Sequence, residues 1–415
     1  MFLTQTNKIR NLSKDEYLVL RELCSLSKNL YNVGLYNIRQ YYFVNKLFLK
    51  YESNYHVCKT NENYKLLQAG ISQQILKIVD RSFKSFFNLI KKAKGGDYRF
   101  QQVKIPHYLD KNGLFPLICS LNAINIKDEY FTVALSNEYR KTNNVKIKIP
   151  CNLTDKKIKE VRILPRYNGK YFDIQYVYEQ EIEDLQLDKN NCLSIDIGLE
   201  NLATCVDSDG SSFIMDGREI KSINQYYNKR KSKLQSIADK QKYKLTNRIY
   251  RLTEKRNNKT KDILNKTSRH IINYCIDNNI GTIVIGYNED FKRNINLGKK
   301  NNQNFTQISF GKLREKLKYL CERYNMQYVE QEESYTSKAS FLDKDEIPKY
   351  SLENQTKYKF SGKRIYRGLY KAKSGQIINA DVNGACNILN KSKQKFGFEQ
   401  LCRGLVDSPL RIRLA

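Results

Sequence analysis

The sequence predicts a multidomain chain, α+β in its first part and α/β in its second. Three observations carry that prediction. Apolar residues recur at helical spacing through most of residues 12–94, and the pattern changes to period two in short runs up to about residue 180. From residue 190 onward, three apolar runs in a meander give way to alternating helix and strand patterns. At 415 residues the chain is long enough to bury two or three separate cores.

Residues 1–11 read as a short strand or arm. Ser13 and Glu16 make a capping box, after which Leu18, Leu20, Leu23, Leu26, Leu30 and Tyr31 recur at near-helical spacing, continuing through Leu35, Ile38 and Tyr42. After a polar stretch at 52–64, a second helix spans roughly 66–94, with Ile75, Val79, Phe83, Phe86 and Ile90 on one face. These apolar faces suit the core of a helical bundle. The Lys and Arg of the opposite faces suit a nucleic-acid duplex lying along it. Gly95-Gly96 ends this lobe, and short runs at 117–119, 130–135, 145–149, 161–164 and 171–178 predict a small β-barrel. The acidic stretch 179–188 reads as a linker.

The second part is organised around CLSIDIGLENLATCV, residues 192–206. Asp196 is the one acid in the first apolar run, Gly198 breaks that run, and the turn Asp207-Ser208-Asp209-Gly210 separates a second strand from a third at 212–215. A carboxylate in an apolar strand is costly unless it meets a counter-charge or a cation. The candidate partner acid is Asp381, which opens a predicted helix in INADVNGACNILN (378–390); an Asp there also suits a helix N-cap. Residues 219–279 are helical and basic, with 14 Lys or Arg against 3 acids between 229 and 266. Lys244, Arg248, Arg251 and Lys255 form one stripe beside a stripe of Leu245, Ile249 and Leu252, a charged face suited to phosphate contacts or simply to solvent. Residues 281–286 (GTIVIG) predict a buried parallel strand, 308–323 a helix and 326–331 another strand. A Tyr-, Lys- and Arg-rich insert at 335–377 precedes the last helix, 381–390.

Lys and Arg number 73 against 43 acids, a formal charge of +30, which predicts a polyanion partner. A coding bias toward Lys would raise Asn, Ile and Tyr as well, but would not leave so large an imbalance. Trp is absent, while 30 Tyr and 18 Phe supply faces on which bases can stack. The 10 cysteines are scattered with no CxxC pair, as in reduced cores rather than disulfide scaffolds. With no signal peptide and no apolar run long enough for a bilayer, a cytoplasmic, prokaryotic chain acting at the nucleoid is expected, with no membrane partner.

DIG in the first strand, the basic helical stretch, IVIGYN, EESYTSKASF and ADVNGACNI, in that order, resemble the RuvC-like nuclease of TnpB proteins. These are transposon-encoded RNA-guided DNA endonucleases, relatives of the Fanzors and of type V CRISPR effectors. The resemblance is strongest over 192–390. It implies an RNase H-like (RuvC) domain over 183–334 and 378–415, carrying a nucleic-acid-binding insert at 335–377. A wedge-like β-barrel from 1–11 and 95–182 would precede it, with the helical lobe 12–94 inserted into that barrel. The implied partners are a structured guide RNA and double-stranded target DNA, with no obligate protein partner. Base pairing would read the target and the protein a short flanking motif.

The resemblance also implies two Mg²⁺ ions, replaceable by Mn²⁺, held by carboxylates for phosphodiester hydrolysis. Asp196 and Asp381 match two of those ligands. Most relatives carry a Glu at the end of the strand corresponding to GTIVIG, where this chain has Gly286. In a subset that includes the Fanzors, the Glu stands at the end of the neighbouring strand, and Glu333 matches it best, with Glu332 and Glu289 as alternatives. Many relatives build the insert as a four-cysteine zinc ribbon, but no Cys or His lies between Cys321 and Cys386, so no zinc is expected there. Packing of Phe341, Tyr350, Tyr358, Phe360, Tyr366 and Tyr370 is expected to hold it instead, with Lys363, Arg364 and Arg367 meeting the target strand or heteroduplex. His56, His107 and His270 have no ligand or general-base spacing. Two rival functions remain. A nuclease-inactive RNA-guided repressor has Gly286 in its favour, and an RNA-independent transposase or resolvase is permitted by the fold.

Overall fold

The computed structural model describes residues 1–96, 98–243, 245–288, 307–308, 310–349, 358–392 and 409–414. Two compact units divide the chain, Met1–Glu181 and Ile182–Ala415.

In the first unit, β1 (Phe2–Lys8) is followed by four helices, α1 (Lys14–Asn45), α2 (Tyr51–Cys58), α3 (Glu62–Leu66) and α4 (Ala69–Lys94). Ser13 caps α1 with the reciprocal Glu16 bond of a capping box. Leu20, Leu30, Leu35 and Ile38 of α1 share a fully buried core with Ile71, Ile75, Val79 and Phe83 of α4. The stretch 52–64, polar in sequence, is mostly helical, and its buried Asn54 anchors it by donating to the Gly34 carbonyl at 3.1 Å.

The strands that follow are β2 (Leu117–Ser120), β3 (Asn125–Lys127) and β4 (Tyr130–Thr132). After the short helix α5 (Asn137–Arg140) come β5 (Lys146–Lys148), β6 (Ile158–Arg166) and β7 (Tyr171–Glu179). β1 runs antiparallel along β7 from Phe2↔Glu179 to Lys8↔Asp173, so the helices are an excursion between two neighbouring strands. The strands expected to form a barrel share one buried core but pair in two ladders. The strands form a four-stranded sheet, β1-β7-β6-β2, and a separate three-stranded sheet, β3-β4-β5, and no pairing among the described residues closes either. β3, β4 and β5 are three residues each and pair only with one another.

The second unit begins with the meander β8 (Asp188–Asp196), β9 (Asn201–Asp207) and β10 (Ser212–Asp216). The helices α6 (Arg218–Lys240) and α7 (Asn247–Asp277), strand β11 (Ile280–Tyr287), helix α8 (Phe310–Arg323) and strand β12 (Gln327–Glu332) follow. A small hairpin sheet, β13 (Lys363–Tyr366), β14 (Leu369–Lys371) and β15 (Ile377–Asn379), leads into α9 (Ala380–Lys391), and β16 (Leu410–Ile412) is last. The main sheet has the order β12-β11-β8-β9-β10-β16. The meander is antiparallel, whereas β11 runs parallel to β8, β12 to β11 and β16 to β10. Strand alternation serves both faces of this sheet. Leu193 and Ile195 of β8 pack with Ile271 of α7 and Leu313 of α8; Cys192 of β8 and Val284 of β11 pack with Ile388 and Leu389 of α9.

Three local expectations are corrected. The basic stretch is two helices, because Thr246 accepts from the Ile249 amide and starts α7 at Asn247. Leu245 therefore lies ahead of the helix, half exposed, and Lys244 lies outside the described residues. The cap of α9 is Asn379, which accepts from the amides of Asp381 and Val382, so Asp381 is not the N-cap.

The insert is held differently from expectation. Phe341 and Tyr370 are buried, and Tyr358 and Phe360 pack on Tyr335. Tyr366, however, is 73% exposed, and Tyr350 lies outside the described residues. Two carboxylates add what the aromatics do not. Asp343 accepts from Ser340 Oγ (2.6 Å), Ser361 Oγ (3.1 Å) and the Lys373 amide (2.8 Å). Asp345 accepts from the Ser340 amide (2.8 Å) and from Ser361 Oγ (2.6 Å). Hydrogen bonds to ionised acceptors are the stronger kind, so this knot ties three loops together. No described helix is long and apolar enough to cross a membrane.

Candidate active site

Asp196 ends β8, which stands between β11 and β9 in the sheet, and Asp381 is the second residue of α9. Glu333 follows β12 directly. Its amide donates to the Tyr287 carbonyl at 3.2 Å, and its own carbonyl accepts from Thr336 Oγ1 at 2.8 Å. The backbone at Glu333 is thus tied both to the end of β11 and to the turn that follows.

Two glycines make room for these acids. A Cβ on Gly384 of α9 would lie 2.8 Å from Asp196 Oδ2, so a side chain there would push that carboxylate from its place. A Cβ on Gly286 would lie 2.6 Å from Glu333 Oε2 and 2.7 Å from Ile388 Cδ1. The space a side chain at 286 would take is occupied by the Glu333 carboxylate. Glu332, the alternative on the same strand end, is engaged elsewhere. Its carboxylate pairs with the nearly buried Lys391 at 2.5 Å and accepts from the Ser334 amide at 2.6 Å. Burial opposes its charge, but those partners hold it below the ordinary carboxylate range. Glu289 lies outside the described residues.

Electrostatics tie Asp196 to both other acids. Burial raises its carboxyl to about 8, with Glu333 and then Asp381 adding to the rise and Arg364 opposing it. Glu333 is raised as well, first by burial and then by Glu332. Asp381 is turned to other partners: Arg364 reaches its Oδ1 at 3.0 Å, and Asn201 Nδ2 its Oδ2 at 2.5 Å. Among the described residues no three acids, His or Cys are gathered closely enough to hold an ion between them. The donor set nevertheless fits hard divalent cations, which prefer carboxylate oxygens. Asp196 in particular is a deep carboxylate for which a cation would replace lost solvation.

Asp196 and Asp381, but not Glu333, line a cavity of about 740 Å³ together with Arg218, Arg364, Arg367 and Arg411. Of the insert's cations, Arg364 is on Asp381, Arg367 pairs with Glu200 at 3.0 Å, and Lys363 is exposed. Arg248, Arg251 and Lys255 are exposed on α7, while the adjacent Arg256 is bound inward to Asn224 and the Gln307 carbonyl. Sequence reasoning missed Asn201, Gly384 and two asparagines of the last helix. Asn383 accepts from the Phe341 amide, and Asn387 donates to the carbonyls of Thr336 and Ala339. The signal lay in NGACN itself, since two asparagines one helical turn apart fall on one face.

Gly384→Ala tests the crossing of α9 over Asp196. Ala gains about 1 kcal/mol over Gly in a helix interior, and the clash falls on a carboxylate that can rotate away. The expected result is a melting temperature within a few degrees of wild type and Mn²⁺ affinity lowered by about 10- to 100-fold. Unchanged affinity by calorimetry would show that Asp196 need not keep its place.

A family model described as "Probable transposase" (OrfB_IS605) matches residues 175–292, and one described as "Cas12f1-like, TNB domain" matches 310–388. A relative from Acidianus two-tailed virus, "TnpB-like protein ORF457", is 25% identical over 414 aligned positions, covering 90% of this chain and 83% of the relative. The chain in a cryo-EM structure of a Cas12f1–sgRNA–target DNA complex shares the fold with a TM-score of 0.61 at 15% identity, over 92% of this chain and 84% of that one. With the two family models met in order and a TnpB-like relative aligned along most of its length, the chain is TnpB-like across both of its units.

Proposed function

We propose that this chain is an RNA-guided, Mg²⁺-dependent DNA endonuclease that cuts DNA complementary to its guide beside a short flanking motif. The observation that carries the reading is the Glu333 carboxylate filling the space above Gly286. It supplies a third acid beside Asp196 where the chain lacks one on β11. Numbered by their order along the chain, the first five strands of the sheet lie 3-2-1-4-5, which supports an RNase H-like nuclease domain. The charge of +30 and the exposed Arg248, Arg251 and Lys255 support nucleic-acid partners, as does the fold shared with the chain of a Cas12f1–sgRNA–target DNA complex.

Asp196, Glu333 and Asp381 would hold the Mg²⁺, which when bound makes water a better nucleophile and stabilises the leaving oxygen. The protein's own part is preparation. Asp196, held protonated at neutral pH by burial and its acidic neighbours, gives up its proton when the site is loaded. Asp381, paired with Arg364 through one oxygen, would offer that oxygen to the cation, while Asn201 holds the other oxygen. The freed Arg364 stands in the same cavity, where a scissile phosphate would meet it.

The test is to purify the protein from cells carrying its native locus, sequence the RNA that comes with it, and replace the guide segment. The expected result is one discrete RNA with a variable 3′ end, and Mg²⁺-dependent cleavage that follows the new guide. Cleavage indifferent to the guide would remove the reading. The "Probable transposase" description of one matched model favours a second reading, action on transposon ends without RNA. Binding to such ends by RNA-free protein would establish it.

A further inference from the structure

One edge of the nuclease unit carries a cluster of cations the proposed reaction has not used. β16 joins the sheet in parallel beside β10, with Ile214 opposite Arg411. Arg411 lies within β16 and Arg413 just past its end. Both turn to Asp216, the last residue of β10, whose side chain is 6% exposed. Arg413 Nε is 3.2 Å from Asp216 Oδ2 and Arg411 is 3.8 Å from the same atom. Arg218, at the start of α6, already engages both oxygens of Asp216 through its Nε, at 3.0 and 2.9 Å. Three guanidinium groups thus share one carboxylate, leaving two positive charges in excess. Burial opposes the charge of Asp216, but Arg218 and Arg411 hold it at about 2, so it remains an anion throughout the working range.

Arg413 already ties the end of β16 to Asp216, and Arg218 occupies both oxygens of that carboxylate, so Arg411 is not needed for either task. Arg411 stands at the edge of contact, and each guanidinium has five N–H donors of which the carboxylate uses only some. Arg218 and Arg411 both line the cavity that holds Asp196 and Asp381. We propose that Arg218 and Arg411 form a cradle for a backbone phosphate of the DNA strand next to the bond being cut, with Asp216 as the residue that positions them. The inference rests on the nuclease reading and deepens it by assigning where the strand is held. Arginine suits this task, since its planar fork binds phosphate through two parallel bonds while staying charged.

The test uses the full chain with its guide RNA, at saturating target DNA, in single-turnover cleavage. Target strands carry one neutral methylphosphonate at successive positions around the cut. Arg411→Gln and Arg218→Gln are each expected to slow cleavage by about 10- to 100-fold. Guide-directed DNA binding without divalent ions should stay within about twofold, and Arg411→Lys should recover part of the rate. At one position near the cut, the methylphosphonate should slow wild type but slow Arg411→Gln no further, a non-additivity that a merely structural arginine would not produce. Substitutions without effect on the rate, or penalties that add at every position, overturn the cradle while leaving the nuclease reading intact. A wild type that cuts no guide-matched DNA overturns the nuclease reading and the cradle with it.

Discussion

Glu333→Ala is expected to lower guided cleavage by at least about a thousand-fold, roughly 4 kcal/mol of lost transition-state stabilisation, while guide and target binding persist. Glu332→Gln makes the contrast, because the two residues are adjacent and differently employed. Glu332 faces the nearly buried Lys391, so its loss should cost about 1–2 kcal/mol of stability and leave cleavage within about tenfold of wild type. Moving the acid gives a sharper test. Gly286→Glu alone places a side chain where Glu333 Oε2 and Ile388 Cδ1 already lie, and should both destabilise the unit and abolish cutting. The double variant Gly286→Glu, Glu333→Gly removes the obstruction and restores a carboxylate from β11, so part of the activity should return. Single-turnover rates of the four proteins decide the matter. A Glu333→Ala protein as active as wild type would leave the third acid to a residue outside the described segments.

Much of this was legible in the sequence because burial leaves periodic traces. β8, β9 and β10 stood out as apolar runs broken by turn residues, and GTIVIG as a continuous apolar run buried on both faces. What escaped was set by contacts without a period. The apolar stripe that began at Leu245 started ahead of the helix, since the cap at Thr246 overrode the spacing. The barrel was inferred from short strands at even spacing, which cannot distinguish one closed sheet from two open ones. The Asp343 and Asp345 knot joins side chains and backbone amides at spacings from 3 to 30 residues, which leave no period. Gly286 read as a missing acid. Only in three dimensions does its lack of a side chain become the room in which Glu333 sits.

Asp196→Asn should abolish cleavage and yet raise the stability of the metal-free protein at pH 8. The folded carboxyl titrates near 8, against an ordinary value of 3.8 in the unfolded chain. Between those values the unfolded chain has released its proton and the folded chain retains it, so folding becomes less favourable as pH rises. Each pH unit across the window costs about 1.4 kcal/mol at most, and relaxation around the site lowers the sum to a few kcal/mol by pH 8. An amide side chain does not ionise and escapes that cost. In EDTA the melting temperatures of the two proteins should coincide near pH 4 and diverge toward pH 8, where the variant should melt about 5–10 °C above wild type. Added Mg²⁺ should close the gap by stabilising only the wild type, since a ligand stabilises the state that binds it. Parallel melting curves from pH 4 to pH 8 would mean that Asp196 is solvated or paired in the free protein. The divergence, if measured, identifies the residue as one kept at a cost to the fold, which is where a catalytic carboxylate is expected to differ from a structural one.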